Sequence, residues 1–140
     1  MKKLSPLSWF IVVLALIPIV SFTALKHGVY VQLHPGNDKK IIVQIVPDKT
    51  YANVVAYINF YAADNKRVAQ QAYSLSGDKD KYIRKDQVTE REFKFSFDKK
   101  VTRVTIDHVS EGEVLEGKDA KKGVKINLPT LDHAPDAIGK

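Results

Sequence analysis

Residues 53–62, NVVAYINFYA, alternate with a period of two: Val54, Ala56, Ile58 and Phe60 fall on one side, and Val55, Tyr57, Asn59 and Tyr61 on the other. Successive side chains of an extended chain point to opposite faces, so a run with one wholly apolar face is a strand lying on a core. The pattern returns in REFKFSF, residues 91–97, where Phe93, Phe95 and Phe97 alternate with Lys94 and Ser96. A helical period would scatter either set around a cylinder. These two runs commit the chain to a sheet with one buried side.

Further strands follow from the same reasoning. VYVQL (29–33) and IIVQIV (41–46) are β-branched and flank HPGNDKK, where Pro35, Gly36, Asn37 and Asp38 supply turn chemistry. ADNKR, with Asp64-Asn65 suited to positive φ, turns residues 54–62 into VAQQAYSL (68–75), which returns antiparallel. VTRVTIDHV (101–109) sets Val104, Ile106 and His108 on one face, opposite Arg103, Thr105 and Asp107. VKINL groups Val124, Ile126 and Leu128, and the last residues, PTLDHAPDAIGK, hold two prolines and little periodicity. About seven strands without an amphipathic helix between them predict two antiparallel sheets burying their apolar faces on each other. The expected organisation is an N-terminal segment 1–27, a β-sandwich over 28–128 and a flexible tail over 129–140.

The N-terminal segment carries the other strong signal. From Leu4 to Leu25, 22 residues pass without a charge, and Lys2 and Lys3 stand just before them. About 20 such residues span the hydrocarbon core as a helix. The lysines should stay in the cytoplasm, which sends the chain after Lys26 outward. Leu7–Ile17 also has the length of a signal-peptide core, and Pro18 interrupts it. The cleavage site is poor, however: a cut after Ala24 leaves the bulky Phe22 three residues back, and a cut after Thr23 leaves a β-branched residue at the bond. Trp9 lies where an interfacial aromatic belongs. The expectation is a retained anchor, with the N-terminus cytoplasmic and the domain outside the inner or plasma membrane.

Composition narrows the function classes. With Lys2 and Lys3 set aside, 20 basic and 16 acidic residues remain, mixed in sign, and DKDKYIRKDQVTERE (78–92) alternates charge as a solvated loop does. Nucleic-acid binding calls for a clustered basic face with interleaved aromatics, so no nucleic-acid partner is expected. The chain has no cysteine. That excludes thiol nucleophiles, thiolate metal sites and a lipidated cysteine, and the lack of disulfides leans towards a bacterial source.

No catalytic constellation is legible. His27, His34, His108 and His133 are not paired at helical or hairpin spacing, and DHAPD (132–136) offers only a weak metal clamp. Glu111, Glu113 and Glu116 lie in a Gly-containing, Lys-flanked loop rather than on rigid elements lining a cleft. No catalytic residue, metal site or cofactor is therefore expected. Two candidates remain. Tyr57, Asn59 and Tyr61 form either a second layer of the sandwich or an exposed interaction face, since tyrosine combines contact area with one polar handle. His108, read as facing inward, is a candidate pH-sensitive group because an ordinary imidazole titrates near about 6.5.

VVAYINFYAADNKRVA, followed later by REFKFSFDKKVTRVTI, resembles the strand-turn-strand and closing-strand pattern of bacterial immunoglobulin-like modules of the FxLYD type. Asn65 stands where those modules usually carry a glycine. The resemblance implies an extracytoplasmic, non-catalytic immunoglobulin-like sandwich and transfers no functional residue. The combined expectation is a non-catalytic interaction protein, an accessory or assembly subunit whose partners are the bilayer and a membrane protein complex. A cleaved, secreted or periplasmic binding protein for carbohydrate or peptide is the alternative.

Overall fold

The computed structural model describes residues 26–112 and 123–135. The expected anchor over residues 4–25, Glu113 and Glu116, and Asp136 lie outside the described residues. Among the described residues there are nine strands: β1 (Gly28–His34), β2 (Asn37–Val46), β3 (Tyr51–Ala52), β4 (Val54–Tyr61), β5 (Arg67–Ser74), β6 (Tyr82–Ile83), β7 (Thr89–Lys94), β8 (Arg103–Glu111) and β9 (Lys125–Ile126). They form a three-stranded sheet ordered β1-β2-β7, a four-stranded sheet ordered β5-β4-β8-β9, and the short pair β3-β6. Every strand pair is antiparallel.

The two larger sheets face each other across one apolar core. Ile41, Val43 and Ile45 of β2 and Val54, Ala56, Ile58 and Phe60 of β4 are all fully buried in it. The central strand of each sheet thus supplies the core stripe, as the period-two reading of 53–62 requires. The phenylalanines of 91–97 also turn inward: Phe60 lies 4.8 Å from Phe95 and 4.9 Å from Phe97, ring centre to ring centre. Tyr73 stacks on Phe93 at 4.6 Å in the same cluster. Burial pushes its phenol up to about 12, so it remains a neutral donor to Gln71. Asn65 adopts φ 64° in the β4–β5 turn, where an amide side chain tolerates the left-handed region.

Four local expectations are corrected. The charged stretch 78–92 is not a loop throughout: Ile83 of β6 is buried in the core, and β7 begins at Thr89. The strand expected over 91–97 ends at Lys94, and Phe95 continues only through a hydrogen bond from its N–H to the Lys39 carbonyl. Val124 does not join Ile126 and Leu128 in the core; it is 74% exposed. His108 does not share a face with Val104 and Ile106. Ile58 pairs with Ile106 while Tyr57 pairs with His108, which leaves Asp107 as an extra residue. Such a β-bulge shifts the alternation by one, and every residue after it changes face.

The chain past Leu128 stays attached to the sheet. The Val29 N–H donates to the Pro129 carbonyl at 2.9 Å, and the Leu131 N–H donates to the Val29 carbonyl at 2.8 Å. Residues 125–126 pair with β8 in one sheet and residue 130 bridges β1 in the other. This segment closes one side of the molecule.

Candidate interaction face

The outer side of the four-stranded sheet is built in rows by its register. Tyr57 lies between Ala72 of β5 and His108 of β8, Asn59 between Gln70 and Thr105, and Tyr61 between Arg67 and Arg103. The three sequence candidates on β4 therefore do share one face, directed away from the core. The bulge at Asp107 brings the fourth candidate, His108, onto the same face.

Each row is locked by a specific contact. The His108 ring stacks on Tyr57 with centroids 4.2 Å apart and 15° between planes. His108 Nδ1 lies 2.6 Å from Asp107 Oδ2. In the next row the Gln70 amide donates to Asn59 Oδ1 at 2.8 Å, and the Asn59 amide reaches Thr105 Oγ1 at 3.4 Å. In the third, the Arg103 guanidinium sits 4.0 Å from the centre of the Tyr61 ring and donates to Asn65 Oδ1. Tyr57 is 8% and Asn59 7% exposed, so the accessible part of the face consists of their neighbours: Arg67, Gln70, Arg103 and Asp107 are exposed.

Electrostatically, Asp107 is the distinctive group. The hydrogen bond with His108 chiefly holds its carboxyl below the usual carboxylate range; Asn59 adds to this, and burial opposes it. Asp107 escaped the reading from sequence because strict alternation placed it opposite His108. Set between the β-branched Val104-Thr105-Ile106 and Val109, Asp107-His108 carries no sequence signal for a bulge. Ser110 shares the outer face, opposite Val55, yet its buried Oγ makes no hydrogen bond. The Asp107–His108 pair thus orients an imidazole ring against Tyr57.

A cleft of about 380 Å³ opens beside this pair, between β8 and the segment leaving β9; Asp107, His108, Lys125, Asn127 and Thr130 line it. Among the described residues no three His, Asp or Glu side chains converge as a metal centre requires. His27 lies against Asp86 at 2.5 Å, and His34 lies 3.7 Å from Glu92. Glu111 accepts a hydrogen bond from the Ala52 N–H. No protein family, curated protein or solved structure matches the chain.

Proposed function

We propose that this chain is a non-catalytic, membrane-anchored extracytoplasmic interaction protein, an accessory or assembly subunit of a bacterial membrane complex. The observation that carries the reading is the outer face of the four-stranded sheet. Tyrosine and arginine are enriched at protein interfaces because they bring area and directional polar groups at low ordering cost. Here they are already ordered: Tyr61 under Arg103, Tyr57 under His108. A preorganised face loses little side-chain entropy on docking.

Two further features support the reading. The uncharged run Leu4–Leu25 behind Lys2 and Lys3 has the length and charge flank of a single membrane span. The strand orders, β1-β2-β7 in one antiparallel sheet and β5-β4-β8-β9 in the other, support reading the domain as an immunoglobulin-like sandwich of the FxLYD type. A cleaved form acting as a soluble binder of carbohydrate or peptide is the second reading, favoured by the cleft beside His108.

The test combines intact mass with partner capture. Carbonate-washed membranes should retain a full-length chain, and a detergent extract should hold a stoichiometric partner that Arg103→Glu releases without lowering the thermal midpoint. A mass lacking the first two dozen or so residues (roughly the length of a signal peptide), recovered in the wash, would overturn the anchored reading. A partner indifferent to Arg103→Glu would remove the outer face from it.

A further inference from the structure

At the end of the molecule where β1 turns into β2, a recess of about 500 Å³ is lined by Asn37, Lys39, Lys40, Lys94, Phe95 and Ser96. That volume lies in the range of small-ligand sites, about 300–1,000 Å³. Its lining residues include three lysines, one asparagine and one serine, and none is acidic. A second recess of about 260 Å³ shares Lys39 and Phe95 with it and adds Lys99 and Lys100 against Asp38 and Asp98.

The arrangement is electrostatically unfavourable for the free protein. Lys40 and Lys94 are direct cross-strand partners in the β2–β7 register. Like charges placed directly opposite in an antiparallel pair destabilise it. Of the three lysines only Lys40 makes an ion pair, with Glu92 at 3.8 Å, and Glu92 also faces His34 at 3.7 Å. Among the described residues no carboxylate pairs with Lys39, Lys94, Lys99 or Lys100.

We propose that this recess binds a soluble oligoanion, a ligand carrying two or more adjacent phosphate-type charges. Several point charges around one hollow suit a compact, multiply charged group, and Asn37 and Ser96 add neutral hydrogen bonds to it. One charge alone would leave one of the two unpaired lysines, Lys39 or Lys94, without a partner. A nucleic-acid strand is the poorer occupant, because the one aromatic ring of this recess, Phe95, is 8% exposed and gives bases no platform. The site is remote from the outer face of the other sheet, so it stands or falls independently of the function proposed above.

The probe is tripolyphosphate, titrated at constant ionic strength into the full chain in detergent and followed by calorimetry and backbone amide shifts. Saturable binding is expected, with shifts confined to Asn37–Lys40 and Lys94–Ser96, and much weaker binding of orthophosphate. Lys39→Glu combined with Lys94→Glu should weaken binding at least about tenfold. Lys79→Glu, in the loop at the far end, should leave it unchanged. Lys94→Glu, now opposite Lys40, should keep or raise the thermal midpoint, which separates lost binding from lost folding. Absence of saturation, equal effects of the two sets of variants, or tighter binding of anionic vesicles or single-stranded DNA at matched charge would each overturn the proposal.

Discussion

Asp107 shows how one residue can redirect a face. As the extra residue of the β8 bulge, it turns its carboxylate to His108 and places that ring on Tyr57. Its carboxyl is held below the ordinary value of 3.8, first by the His108 hydrogen bond. The folded chain therefore stays ionised at pH values where the unfolded chain takes up a proton. The resulting stabilisation is complete above about pH 3.8 and is lost as the pH falls through the lower native value. Wild type should exceed Asp107→Asn in urea resistance at neutral pH, and the two unfolding midpoints should converge in strong acid. The effect will be modest because the carboxylate is 42% exposed. A difference independent of pH would show that Asp107 acts through geometry alone. Alternation sufficed to read Val54, Ala56, Ile58 and Phe60 as core, since nothing interrupts β4's pleat on the core side. It failed at His108 because a bulge depends on tertiary register, which no local pattern encodes.

At the scale of elements, the long strands were legible and the short ones were not. β3 and β6 have two residues each, too few to display any period, and Ile83 is a single apolar side chain among lysines and aspartates. The segment after β9 was illegible for a different reason: its order comes from backbone pairing to β1, and prolines mask such pairing in sequence. Gly28 makes that docking possible. A Cβ there would lie 2.5 Å from Leu131 Cγ and 2.7 Å from the Pro129 carbonyl oxygen. Backbone as well as side chain would have to move, so Gly28→Ala should cost about 1–3 kcal/mol in urea unfolding. Ending the chain at Leu128 removes both hydrogen bonds to Val29 and should cost about 1–3 kcal/mol by itself. In the shortened chain Gly28→Ala should become nearly neutral, because the clash has gone. Additive losses would mean that Gly28 matters for β1 itself and not for the segment docked on it.

On the scale of the whole molecule, the two ends of the sandwich differ. One end gathers the entry of the chain at Lys26–His27, the Pro47–Thr50 connection and the loop before β7, tied by the His27–Asp86 contact and by the Asp86 N–H to the Pro47 carbonyl. The other end carries the β1–β2 hairpin and the lysine-lined recess. The seven residues of β1 separate them by about 20 Å at ~3.3 Å per residue. If Leu4–Leu25 is a membrane span, the domain stands with the first end on the bilayer and the recess directed away from it. In that orientation the oligoanion site would lie out of reach of the lipid surface, in keeping with a soluble occupant. The absence of cysteine makes the arrangement directly measurable with single labels. In proteoliposomes containing a bilayer-embedded quencher, a fluorophore at Lys85→Cys should be quenched and one at Asn37→Cys should not. Equal quenching at both positions would mean that the domain lies on its side, with the recess at the membrane. Quenching at neither, together with release by carbonate, would mean that the domain is not tethered by its N-terminal segment.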